Sequence, residues 1–425
     1  IYKNAVLKAL KMINISNPIS LKELLYGAET LKGLYYIFRR FFKPILRLKD
    51  LEGYNKALIV ASQLRNIKYY EEMKERKMRL LRMYDLGVFS SHKKRLFFNA
   101  IRKPLKFDTL LQNALRGFNK LIYISFIKLS EVNEYLLIAI SHPDTDLYIL
   151  KRVNIDTEEL ILMKNGAIEE LIHELELIFP TELLDAIGNL SENDLLIFSL
   201  DHALHEIPWE LLPSDSFNRP YVGLKTNVIR TFSAYDLLMW KNVRPSESNI
   251  ALVETRGLEN KPKSIIQKLL KQRGYRVYQD VGSNIHLFVS DYIRLLYYID
   301  LSPIMIADEP YIKLGSIYLS TTDIERTDLQ GDIVILDTKI INNGFEDELS
   351  YHNISLAFLV AGFRTVINFD AIEDKDRALI ISHLFSGGYR EHNYKVILNL
   401  RRELYDKNRE CWYKISIYGD PYTTI

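Results

Sequence analysis

The stretch Gly331-Asp332-Ile333-Val334-Ile335-Leu336-Asp337-Thr338 decides how this chain folds. A strand with one wet face alternates apolar and polar residues. This one carries four consecutive aliphatic side chains, so it needs cover on both faces, as in a parallel sheet sandwiched by helices. Its neighbours fit that demand. "NISLAFLVAGF" (353–363) reads as a helix, "RTVINF" (364–369) as a second buried strand, and "DKDRALIISHLFSGG" (374–388) as a helix closed by glycines. Upstream, "NIALVET" (249–255) is a strand, "KPKSIIQKLLKQRG" (261–274) a helix ending at Gly274, and "YRVYQD" (275–280) a strand. "NIHLFVSDYIRLLYYI" (284–299) reads as a helix, "PIMIAD" (303–308) as a strand, and "CWYKISIYG" (411–419) as a last strand. Strands alternating with helices predict an α/β fold with a mostly parallel sheet flanked by helices.

Further towards the N-terminus the texture changes. "LIYISFIKLS" (121–130), "EYLLIAISHP" (134–143) and "DLYILKRV" (146–153) are β-rich; a helical stretch over 156–178 and "NDLLIFSL" (193–200) follow. Residues 1–118 are expected to be all-helical, with apolar residues at three and four spacing and few Gly or Pro. Paired helices of a tetratricopeptide-like kind fit, although no 34-residue period is found.

With 425 residues and ordinary apolar and charged content, the chain is long enough for two or three domains. No run of about 18 apolar residues occurs, so no membrane span is expected. No secretory signal opens the chain, which begins with Ile, so the native N-terminus is left open. One cysteine, Cys411, excludes an intramolecular disulfide and a cysteine-rich zinc site, and the cytoplasm is the default compartment. Abundant tyrosine with scarce cysteine and methionine fits a thermophilic source. The net charge of +2 is unevenly spread. Residues 1–120 hold 26 Lys or Arg against 9 Asp or Glu, and the remainder 30 against 45. The front therefore faces an acidic partner: nucleic acid through residues 39–106, another protein, or the acidic rear of the same chain. "SSHKKRLFFNAIRKPLK" (90–106) suits nucleic-acid contact, and suits equally a helix with buried Phe and wet Lys and Arg.

"DHALHEIPWELLP" (201–213) sets His202 and His205 three residues apart beside Glu206. A zinc site needs three or four protein ligands, and H-x-x-H-E is not the helical H-E-x-x-H pattern. The alternative is a structural turn, with Leu204, Ile207, Trp209, Leu211 and Leu212 buried and Pro208 and Pro213 fixing the backbone. No metal is expected. Without a Walker motif or a G-x-G-x-x-G after a strand, no cofactor is expected either.

Several segments together resemble a CHAT domain, a caspase-like module related to separase. They are "LLIFSLDHALHEIPWELLP", "LQGDIVILDTKI", "NISLAFLVAGFRTVINFDAIEDKDRALIISHLF" and "CWYKISIYGDP". The resemblance implies a front subdomain over 119–244 and a caspase-like subdomain over 245–425. It also implies a cysteine peptidase with a His–Cys dyad, in which a thiolate attacks the scissile carbonyl and histidine moves the proton. Carried over residue by residue, Lys339 stands where the family has Cys, and Asp337 and Thr338 stand for Ser and Ala. The histidine strand corresponds to Leu296–Met305, which holds no histidine; Ser302 or Pro303 falls at the catalytic position. The expectation is a degenerate centre. An ion pair of Lys339 with Asp337 or Asp300 would fill the cleft, in preference to a Ser302–Lys339 dyad. Cys411 is expected to be a small buried apolar residue, and His286, His352 and His383 to be structural.

The leading expectation is a pseudo-peptidase acting as a scaffold or protein-interaction module. The alternatives are a hydrolase with unrecognised active residues and a nucleic-acid-associated protein using its basic front. The family implies roles in antiviral defence or regulated proteolysis. Binding that weakens steeply with salt would mark the nucleic-acid reading.

Overall fold

A computed structural model describes residues 22, 25, 27–29 and 71–77, and the chain from 107 to 424 except for short breaks. The breaks are 130–132, 145, 217–218, 235, 241–248, 256–259, 280–291, 302–303, 307–308, 315–316, 327–328, 330, 339–347 and 387–390. The chain divides into two compact units. One gathers Ile1–Tyr36, Pro104–Val243 and Arg390–Thr424, the other Ile37–Lys103 and Arg244–Tyr389.

The first unit opens with α1 (Phe107–Ala114) and the strands β1 (Leu121–Lys128), β2 (Glu134–His142) and β3 (Tyr148–Asn154). β1 and β2, and β2 and β3, pair antiparallel. β1 is buried over seven of its eight residues, whereas β3 at the edge is half wet. The stretch expected as one helix is two, α2 (Thr157–Lys164) and α3 (Ile168–Ile178). Asp156 caps α2 by accepting from the backbone N–H of Glu158 and Glu159 at 3.1 Å. Asn165 and Gly166 end it, as short polar and glycine residues do. After α4 (Thr181–Gly188), β4 (Leu195–Ser199) lies parallel to β1.

The 201–213 stretch makes two short 3-10 turns, His202–Glu206 and Trp209–Leu211. A small hairpin of β5 (Pro213–Ser216) and β6 (Arg219–Tyr221), then α5 (Val222–Lys225), lead to β7 (Asn227–Thr231), which pairs parallel with β4. α6 (Asp236–Met239) follows.

In the second unit, β8 (Ile250–Thr255), α7 (Asn260–Gln272) and β9 (Arg276–Gln279) form a βαβ step. α7 ends as expected: Gly274 takes φ +80°, the left-handed conformation that glycine adopts without a steric penalty. β10 (Ile293–Leu301) pairs parallel with β8. This corrects the helix expected over 284–299 where the expectation meets the described strand; residues 284–291 lie outside the described residues. Ile293 to Ile299, Arg294 apart, is buried with Tyr and Ile prominent, and a continuous apolar run satisfies helical spacing whatever it forms. β11 (Ile304–Ile306), β12 (Glu309–Leu314) and β13 (Ile317–Ser320) make a separate antiparallel sheet, followed by α8 (Thr321–Arg326).

β14 (Gly331–Thr338) occupies the expected residues and is buried throughout. It runs between β10 and β15 (Phe363–Phe369), parallel to both; α9 (Glu348–Ala361) and α10 (Asp374–Ser386) flank β15 in sequence. The parallel order in this unit is β15-β14-β10-β8-β9. The chain then returns to the first unit through α11 (Asn393–Asp406), which packs against α5 and β7. Its last strand, β16 (Ile415–Gly419), pairs parallel with β7, completing the order β3-β2-β1-β4-β7-β16. Residues 410–414 are a 3-10 turn, so Cys411 and Trp412 precede the terminal strand rather than opening it. Among the described residues no helix is long and apolar enough to cross a membrane.

Candidate functional site

Ligand sites in open parallel sheets lie beyond the carboxyl ends of the strands. In the second unit the two strands assigned to the dyad, β10 and β14, are direct parallel neighbours. Their carboxyl ends meet at the register pair Leu301 and Thr338, after a register shift that follows Tyr298. Ser302, Pro303 and Lys339 each follow one of these ends and lie outside the described residues. Asp300 lies on β10, and only its backbone is described.

What fills the end of β14 is an ion pair. Asp337 is buried, and Arg377 on α10 donates to it through Nε at 2.8 Å and through Nη2 at 3.2 Å. Arg377 Nη1 also bonds Asp374 one turn earlier on α10. The planar guanidinium matches both carboxylate oxygens, so the pair fixes direction as well as charge. Next to it, the Thr338 hydroxyl donates to the Phe369 carbonyl at 2.8 Å and accepts from the Ala371 N–H at 2.9 Å. Asp337 and Thr338 are thus both bonded inward. Arg377 was not singled out from the sequence. The cue is an arginine placed just before the apolar run in "DKDRALII", three residues after Asp374.

The 201–213 stretch lies in the first unit and is structural in its bonding. Leu204, Ile207, Trp209, Leu211 and Leu212 are all buried. The Trp209 ring stacks on Phe126 at 5.2 Å and on Phe198 at 5.4 Å, and its Nε1–H donates to the Leu204 carbonyl at 2.8 Å. The His205 ring stacks on Phe232 and Tyr418, with Nε2 at 3.2 Å from the Leu200 carbonyl. The His202 side chain lies outside the described residues. Among the described residues no three His, Cys, Asp or Glu side chains gather as metal ligands.

Glu210 of the same stretch is the centre of a buried charge triad. Arg230 on β7 donates to its Oε2 at 2.5 Å and Arg401 on α11 to its Oε1 at 3.0 Å. Arg401 also donates to the Ile415 carbonyl at 2.6 Å, and Arg230 to the His205 carbonyl. Burial lowers the Arg401 guanidinium to about 10, with Arg230 adding repulsion, while Glu210 holds Arg230 charged. Cys411 is buried in the first unit.

No family model matches the chain, and no curated protein matches it in sequence. Among solved structures, the crystal structure of the Saccharomyces cerevisiae separase–securin complex resembles it with a TM-score of 0.55, at 11% sequence identity. The likeness covers 96% of this chain.

The fold is caspase-like.

The chain spans about a third of the length of the matched structure, 34%. At this identity the likeness concerns architecture: a mostly parallel sheet flanked by helices, with β10 and β14 side by side. Fold alone does not carry chemistry, which depends on the residues at the strand ends.

Proposed function

We propose that the chain is a peptidase-family pseudoenzyme, a degenerate relative of CHAT-domain proteins, that works as a scaffold or protein-interaction module. The observation that carries this reading is the buried Asp337–Arg377 pair at the carboxyl end of β14. A cysteine peptidase needs a thiolate there and a histidine at the end of the neighbouring strand. The sequence has Lys339 and no histidine across Leu296–Met305. An ammonium group cannot take the part of a thiolate, and Asp337 and Thr338 are held by internal hydrogen bonds rather than turned to a peptide. The similar yeast separase is in complex with securin, which favours a protein partner for this chain as well.

The test uses the full chain with a panel of peptide substrates and with thiol- and serine-directed activity probes. The expected result is no cleavage and no active-site labelling, unchanged in Lys339→Ala and Cys411→Ala. Cleavage or labelling that disappears in either variant would overturn the reading.

A further inference from the structure

Glu29 plays no part in the reading above and lies in the first unit. It is 1% exposed. Ser125 Oγ donates to its Oε1 at 2.5 Å, Ser199 Oγ reaches both oxygens at 3.0 and 3.1 Å, and the Ala234 N–H donates to Oε2 at 2.7 Å. Ser233 Oγ donates to the Glu29 backbone carbonyl at 3.1 Å. Ser125 and Ser199 come from neighbouring strands, and Ser233 and Ala234 from the turn after β7, yet together they form one surface. Ser125 is the register partner of Ser199, and Ser199 that of Thr231, so three hydroxyl residues stand in a row on one face of β1, β4 and β7. Tyr123 lies two residues before Ser125, on the same face by the period of two. Burial first, and the Glu29 charge second, push its hydroxyl well above the usual tyrosine range.

Ser199 and Thr231 are the last residues of their strands, the end at which open parallel sheets take ligands. The surface offers a fixed backbone N–H and hydroxyls already turned to donate. Its complement is a group that only accepts, at two oxygens, which is a carboxylate.

We propose that Ser125 within β1 and the carboxyl ends of β4 and β7 form a carboxylate-binding site whose resident ligand is Glu29 of the same chain. Glu29 arrives on a helical segment that also buries Leu25 and Ala28 and pairs Lys22 with Asp108 at 2.8 Å. The site is therefore the point at which this segment is latched to the sheet. With the Glu29 side chain removed, the same donors take a small carboxylate from solution.

The experiment titrates full-length Glu29→Ala with sodium formate, against sodium chloride at equal ionic strength, and reads the Tm. The expected result is a saturable formate-specific rise in Tm for Glu29→Ala that wild type lacks. Adding Ser199→Ala to the variant abolishes it. Parallel responses of wild type and variant would overturn the proposal, as would a rise that survives Ser199→Ala. Should Glu29→Ala fail to fold in chloride, refolding yield is the readout. Recovery in formate alone supports the site, and no recovery in either salt overturns it.

Discussion

Lys77 and Asp323 are 246 residues apart in sequence, yet Lys77 Nζ lies 2.9 Å from Asp323 Oδ2. Their side chains are 7% and 0% exposed. The ammonium also donates to the Tyr311 hydroxyl at 3.2 Å and sits 5.1 Å above that ring. Asp323 accepts from the Ser320 N–H at 3.0 Å while Ser320 Oγ accepts from the Asp323 N–H at 3.2 Å, a reciprocal cap on α8.

Two buried charges stabilise each other only while both are present, since each alone bears the full cost of lost hydration. Lys77→Met is expected to cost about 3–5 kcal/mol of stability. Lys77→Met combined with Asp323→Asn is expected to cost less than the sum of the single changes, because the stranded charge is gone. Urea midpoints of the three variants test this, and strictly additive losses would show that the pair is not coupled.

The Asp337–Arg377 contact is expected to depend on the shape of the guanidinium, not only on its charge. Arg377→Lys keeps the charge but loses the fork that meets both oxygens. The expected loss is roughly 1.5–3 kcal/mol, in the range of a hydrogen bond to a charged group. A lysine variant as stable as wild type would mean that a point charge suffices at the end of β14.

How much was legible in the sequence follows from where the information sits. β14 announced itself because four aliphatic residues in a row leave no wet face, and the strand occupies the residues expected of it. β10 carries the same kind of run, but three- and four-residue spacing is satisfied by any unbroken apolar stretch, so it read as a helix. β7 passed unnoticed because "NVIRT" puts an arginine one residue before its end. Arg230 is acceptable there only because Glu210, 20 residues earlier, neutralises it. The same holds for the sites. That Lys339 follows β14 and Ser302 follows β10 can be read locally in the sequence. The partners of Asp337 and Glu29 depend on which strands and helices end up as neighbours, which no local pattern encodes.

His142 gives stability a pH dependence in the mildly acidic range. It is buried at the end of β2, with Nε2 at 2.8 Å from Gln112 Oε1. Burial lowers its pKa from the usual 6.5; the Asp108 charge acts against that, Lys22 opposes the imidazolium more weakly, and the attraction of Asp144 is the smallest. The unfolded chain therefore takes up the proton first as pH falls. The contribution of His142 is complete above pH 6.5 and is lost as pH drops below that value towards the depressed folded pKa. His142→Gln retains a neutral donor to Gln112 and is expected to flatten this part of the profile. Urea midpoints of wild type and variant between about pH 5 and 8, the range in which histidine titrates, are the measurement. Equal slopes would exclude His142 as the source.

Gly331 opens the strand from which the fold was read, and space rather than backbone freedom holds glycine there. A Cβ at this position would stand 2.4 Å from the Ile293 carbonyl oxygen and 2.2 Å from Phe363 Cε1. Ile293 and Phe363 are its register partners on β10 and β15, so the added carbon would press on both neighbouring strands at once. The Phe363 ring has some freedom to turn away, but the Ile293 carbonyl is backbone within the β10 ladder and moves only if the strand moves. Gly331→Ala is therefore expected to destabilise, by about 1–3 kcal/mol for overpacking a filled core. In contrast, Gly166 has nothing within 4 Å of an added Cβ. Gly166→Ala is the matched control, expected to leave the urea midpoint close to wild type. If the two alanine variants proved equally stable, β14 would not be packed against its neighbours as closely as this register requires.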